Sequence, residues 1–485
     1  MCLWLTGGEY DKKNTFLVYA GRKDSNHIPI SEKWGDAKRV SLMYSTLESH
    51  WVLSVPSCSN LQTLLCPSAR LSHIPQGFLK LMPILRVLDL SSTGLIILPD
   101  EIGLLGELRY LNLRGTPITY LPKGLANLAN LRLLDLDDTK DLSHIPLEVI
   151  PTLTGLQALG LYGSRYDFVW PIKLSRSLLD VSSRMQKEGT STSSSPATQL
   201  SMRSGRGSWD KLEELRLWVR TSSSLETLWN SDKLCRCTIA LKIDARAKSG
   251  ITSAHLSIDF VRLEKLRSLV LLGEFLVAKA EFSGGSKSGS SLEVLHLDSV
   301  HEVTIAVTRP PGPPLFGRLR TLWVEYCTGI RDLMWVRQLP CLQEIHVHKC
   351  WGMEEILPMV DGLEGVNEAP DCDCSSLLEL RELHLMDLPI LKSISRLPML
   401  LPSLEVLKVC QCPQLKKLPL GPRSAKKFQR IHCEPEFWEG LDWNVDGQSV
   451  RSLFLPFYKS VPRDPEGFAW YQAPYLFRKA GLGLL

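Results

Sequence analysis

The run His346-Val347-His348-Lys349-Cys350 places two imidazoles and a thiol within five residues, types that hold zinc when four ligands converge at about 2 Å. Alternate side chains of an extended strand share a face, so His346 and His348 point the same way. His296, His384 and His432 each stand four positions after a recurrent apolar residue, and a histidine-bearing column is expected along that face. Neighbouring strands lie about 4.8 Å apart, and Cys350 falls in a separate small-residue column. The spacing therefore points to a solvated or partner-contacting face, with no metal expected. Cys372-Asp373-Cys374 and Cys410-Gln411-Cys412 have one intervening residue, not the two of zinc knuckles and redox dithiols. No G-x-x-x-x-G-K-[ST] or G-x-S-x-G motif occurs, and the stretch from Gly284 to Ser288 is a glycine-serine loop without a strand–elbow–helix context. Catalysis is thus not expected. What the chemistry offers is contact area: Tyr110, Trp218, Trp323, His346, His348 and His384, alongside Asp135 and Asp137, are expected on one exposed face suited to protein recognition. Protonation of the histidines near pH 6 would add positive charge to it.

The elements that position these residues are short and recurrent. Leu85, Leu88 and Leu90 are answered by Leu108, Leu111 and Leu113, then by Leu131, Leu134 and Leu136, a repeat of 23 residues. Further apolar residues follow ten and thirteen places on (Leu95 and Leu98; Ile118 and Leu121), before Pro99 and Pro122. This is a leucine-rich repeat. One unit cannot bury its own leucines, but stacked units bury each other's, giving an α/β solenoid, or horseshoe, with a parallel sheet on its concave face. In later units the second apolar pair falls one residue further on: Ile330 and Leu333, Leu391 and Ile394, Leu415 and Leu418.

Composition narrows the function classes. With 56 Lys and Arg against 52 Asp and Glu the net charge is +4, and no long basic block exists to bind nucleic acid. Hydrophobic residues at 44% and charged residues at 22% fit a folded soluble chain. The apolar stretch in MCLWLTGGEYDKK is too short for a signal-peptide core and no run is long enough to span a membrane, so the expected compartment is the cytoplasm. Of thirteen cysteines, Cys327, Cys350 and Cys412 fall eight residues after Leu319, Leu342 and Leu404, where Thr93, Thr116 and Thr139 fall in earlier units. That column fills the turn after the strand, and its thiols are read as buried and free.

Along the chain, residues 1–35 do not follow the repeat, although FLVYAG reads as a short strand. Residues 36–162 hold regular repeats and 163–209 a Ser/Thr/Gly-rich loop. Residues 210–445 hold irregular repeats beginning at Leu212, Leu266, Leu292, Leu319, Leu342, Leu380, Leu404 and Phe428. Residues 446–485 form an aromatic non-repeat tail that caps the last unit or stays loose.

Three landmarks go beyond the repeats. MCLWLTGGEYDKKNTFLVYAG resembles the segment after the Met-His-Asp motif in the winged-helix part of plant intracellular nucleotide-binding leucine-rich-repeat immune receptors of the coiled-coil class. AKRVSLM resembles the start of their repeats, and PEFWEGLDW, Pro435 to Trp443, their closing segment. The resemblance implies a repeat region that restrains a nucleotide-binding module and contributes to sensing a pathogen effector, directly or through a guarded host protein. The module that holds ADP or ATP in those receptors has no counterpart in this sequence, so no cofactor is expected here. The alternatives are a cytosolic repeat scaffold for an endogenous protein, or the remnant of a truncated receptor.

Overall fold

The computed structural model describes residues 16–18, 34–45, 57–167, 210–246, 251, 255–260, 262–273, 277–281, 291–305, 316–358, 377–395, 401–420, 427–443 and 447–461. The serine-rich segment 168–209, the acidic insertion 359–376, MCLWLT and residues 462–485 lie outside them. The chain divides into two compact units, Met1–Val219 with Ser223–Thr238, and Arg220–Ser222 with Ile239–Leu485. Each is a ladder of parallel strands, the leucine-rich-repeat solenoid expected from the spacing.

In the first unit, strands Phe16–Val18, Arg39–Ser41, Thr63–Leu65, Val87–Asp89, Tyr110–Asn112, Leu133–Asp135, Ala158–Gly160 and Glu214–Val219 pair in sequence order. The leucines opening the regular units, Leu61, Leu85, Leu108, Leu131 and Leu156, are all buried, as are Leu88, Leu111 and Leu134 within the strands. Pro99 and Pro122 have φ of −70° and −74°. They stand at the entry to 3-10 helices Asp100–Leu104 and Lys123–Asn127, which carry the chain back toward the next strand.

The exit from many of the strands is also shared. One residue turns left-handed, Ser92 (φ 55°), Gly115 (φ 66°) and Asp138 (φ 59°) in successive units, and Tyr326, Lys349, Asp387 and Gln411 in later ones. The turn aims that residue's N–H at the next unit, as from Ser92 to the Arg114 carbonyl at 2.7 Å and from Lys349 to that of Met386 at 2.9 Å. Next comes the small-residue column. Thr93, Thr116 and Thr139 donate to the carbonyls of Leu90, Leu113 and Leu136 at 2.6–2.7 Å. Cys327, Cys350 and Cys412 are buried free thiols there, with sulfurs 3.2–3.3 Å from the carbonyls of Glu325, His348 and Cys410.

In the second unit, strands Thr238–Asp244, Ser268–Leu272, Val294–Asp298, Thr321–Glu325, Glu344–His348, Glu382–Met386, Val406–Cys410, Arg430–Cys433 and Tyr458–Ser460 form the ladder. The acidic insertion does not interrupt it, because Glu344–His348 pairs directly with Glu382–Met386. Return segments make smaller parallel ladders of their own, His255–Asp259 with Val277–Glu281 and Glu302–Ile305, and Glu355–Leu357 with Ser393–Ser395.

In the described part of the tail, helix Gly447–Phe454 leads into strand Tyr458–Ser460, which pairs with Arg430–Cys433. Trp438, on helix Pro435–Glu439, is 2% exposed and stacks on Tyr458 at 4.7 Å, while Phe454 meets Phe428 edge-on at 5.2 Å. This aromatic cluster covers leucines that would otherwise face water at the end of the stack. Its aromatic residues do not follow the leucine period.

Candidate recognition face

Strand alternation sends one set of side chains into the leucine core and the other onto the concave ladder face. All eight candidate residues occupy that face or the turn next to it. Their exposure is not as expected. Asp135 is 0% and Asp137 3% exposed, and His346, His348 and His384 are 4%, 5% and 7% exposed. Tyr110, Trp218 and Trp323 are half-buried. Side chains on strands about 4.8 Å apart are close enough to roof one another.

In the first unit the roof is Arg216, a residue the sequence reading passed over. Its guanidinium bridges Asp135 (Nη2 to Oδ2, 2.9 Å) and Asp137 (Nε to Oδ2, 2.8 Å) from a strand on the far side of the serine-rich segment. Backbone N–H groups complete the pocket: that of Asp137 donates to Asp135 Oδ1 at 3.0 Å, and that of Tyr162 to Asp137 Oδ1 at 2.8 Å. Gly160 makes room, because a Cβ there would lie 2.6 Å from Arg216 Nη2 and from Asp137 Oδ1. Burial and the Asp135 carboxylate outweigh Arg216 and push Asp137 up to about 8. Burial opposes the charge on Arg216, but Asp137 and Asp135 outweigh it and push Arg216 up. Asp89 is held up by burial, and the Tyr110 phenol by burial beside Asp89 and Asp135. One guanidinium thus serves two buried carboxyl groups, a structural closure and not an exposed acidic patch.

In the second unit, register sets His296, Trp323, His346, His384, Lys408 and His432 side by side as the middle row of the face. Trp323 stacks on His346 (centroids 4.0 Å apart, planes 13° apart), and His384 meets His346 edge-on at 4.2 Å. His348, in the next row, faces Glu325, with Nδ1 to Oε1 at 3.8 Å. Burial, with Lys408 and two other histidines against Glu325, pushes His348 down to about 4. It is neutral at physiological pH, so the expected protonation near pH 6 does not apply to it. Glu325, 3% exposed between His296 and His348, is the second residue that sequence reasoning missed. Its signal was available in the ladder register, where it is the partner of His348.

Comparison with known proteins bears on the identity of these repeats. Residues 290–430 match the family described as "Plant disease resistance protein RPS2-like, leucine-rich repeats", and residues 59–118 match "Leucine rich repeat". The chain is similar to two Arabidopsis thaliana proteins. Disease resistance protein SUMM2 is 28% identical over 95% of this chain and 45% of SUMM2, and disease resistance protein RPS5 is 28% identical over 94% of this chain and 45% of RPS5. The chain spans less than half the length of these curated relatives. Among solved structures, a leucine-rich-repeat protein of Leptospira interrogans superposes with a TM-score of 0.41 at 17% identity, covering 91% of this chain and 94% of that one. Among the described residues no helix is long and apolar enough to cross a membrane.

Proposed function

We propose that this chain, whose repeats are similar to those of plant disease resistance proteins, recognises another protein through its concave ladder face in plant defence. The partner is a pathogen effector or a guarded host protein. The same face restrains a nucleotide-binding module in the cytoplasm. The observation that carries this reading is Trp323, half-buried and stacked at 4.0 Å on a buried His346. A ring held in one rotamer loses little conformational freedom when a partner covers its remaining surface, which is what makes rigid aromatics dominate interfaces. Tyr110 and Trp218 are the equivalent half-buried rings of the first unit.

The test uses the nucleotide-binding region of a related resistance protein, or a candidate effector, as bait. Trp323→Ala is compared with the double variant Glu354→Ala plus Lys392→Ala, an exposed ion pair at 3.0 Å outside the inner strands. The aromatic truncation is expected to cost roughly 2 kcal/mol or more of binding, and the ion-pair variant well under about 1 kcal/mol. Loss of capture by the ion-pair variant alone, with both proteins folded, would overturn the assignment.

A further inference from the structure

We propose that His346, His348 and His384 form a binding site for a divalent transition metal of the zinc type. His346 and His348 lie two residues apart on one strand, and His384 is the cross-strand partner of His346. One ligand nitrogen from each comes within 4.8 Å of the others. A tetrahedral zinc with nitrogens at about 2.0–2.1 Å needs them roughly 3.3 Å apart, a closure that rotation of rings on adjacent strands supplies. The objection from strand spacing fails because two ligands come from a single strand, so only one inter-strand gap has to be bridged.

A further feature favours metal over an ordinary histidine cluster. Each imidazole faces a carboxylate: His346 Nε2 is 3.6 Å from Glu344, His384 Nε2 is 3.4 Å from Glu382, and His348 Nδ1 is 3.8 Å from Glu325. Drawn in to hydrogen-bond distance, such carboxylates fix the orientation of metal-ligating histidines by accepting the N–H of the nitrogen that faces away from the ion, and one of them can swing in as a fourth ligand. Lys408, beside His384 in the register, is the nearby positive charge the glutamates must offset. Three imidazole nitrogens favour zinc, nickel or copper over calcium or magnesium, which prefer all-oxygen sets. A bound ion would clamp Glu344–His348 to Glu382–Met386, the two strands that flank the acidic insertion.

The experiment titrates zinc into the chelator-stripped full chain by calorimetry and follows thermal unfolding with and without the ion. One equivalent is expected to bind and to raise the unfolding midpoint. His384→Asn should weaken binding by at least about tenfold, and Glu382→Gln by about tenfold, while His432→Asn binds as the unaltered chain does. X-ray absorption at the zinc edge, recorded on the unaltered chain, keeps the test independent of whether a variant folds. Nitrogen-only or nitrogen and oxygen coordination with imidazole scattering is the expected result. Failure to bind one equivalent, a sulfur-dominated shell from the cysteines, or undiminished binding by folded His384→Asn would each overturn the site.

Discussion

At the residue scale the charged pocket around Arg216 makes the sharpest claims. Removing one partner of a buried ion pair costs more than the pair contributes, because the remaining charges stay desolvated. Arg216→Met is therefore expected to lower stability by about 3–5 kcal/mol in urea unfolding, and adding Asp135→Asn with Asp137→Asn should recover most of the loss. Asp137 also fixes a pH dependence. Its folded pKa is raised from 3.8 to about 8, so between those values the folded chain holds a proton that the unfolded chain has released. The stabilisation is complete below the unfolded value and disappears as pH rises through the folded one. Asp137→Asn should flatten the decline in melting temperature between about pH 5.5 and pH 8.5, and an unchanged slope would assign the titration to another group. None of this was legible locally. Asp135 and Asp137 look exposed in LDLDDT because the residue that covers them, Arg216, is separated from Asp135 by 81 positions.

At the scale of the repeat unit, sequence and structure agree closely, since each unit meets the same physical demand. The leucine at each unit's start must enter the core, and in the regular units the strand exits through a left-handed residue and a small polar or thiol side chain fills the turn. Thr116 and Cys350 occupy one column for one reason, so Cys350→Thr is expected to change stability by less than about 1.5 kcal/mol, as volume-conserving swaps do. Cys350→Leu overfills a site that is 0% exposed and should cost about 1–3 kcal/mol. Equal melting temperatures for the two variants would show that the column is not packed as described. Leu111→Asp tests the register itself: it places an unpaired carboxylate at a position 0% exposed, and loss of cooperative unfolding is expected by circular dichroism. What the repeat pattern could not reveal is the end of the stack. There Trp438, Phe454 and Tyr458 cover the last described repeat through ring contacts that follow no leucine period.

At the scale of the whole molecule, each unit presents half-buried aromatic side chains on a face whose candidate acids and histidines are buried. The register of the histidine column was readable, because strand alternation and unit spacing fix it. Its burial was not, since that depends on Trp323 lying flat against His346 and on neighbouring rows closing over both. This shifts the candidate contacts from the acids and histidines to the rings that keep accessible surface, with Tyr120 at 40% and Trp351 at 56% exposed as natural controls outside the inner strands. The most direct test of recognition through the ladder face is hydroxyl-radical footprinting of the chain with and without a captured partner. Protection of Trp323, and of Tyr110 or Trp218, with Tyr120 and Trp351 unchanged is the predicted result. Protection of Tyr120 or Trp351 while Trp323, Tyr110 and Trp218 oxidise as in the free chain would contradict it.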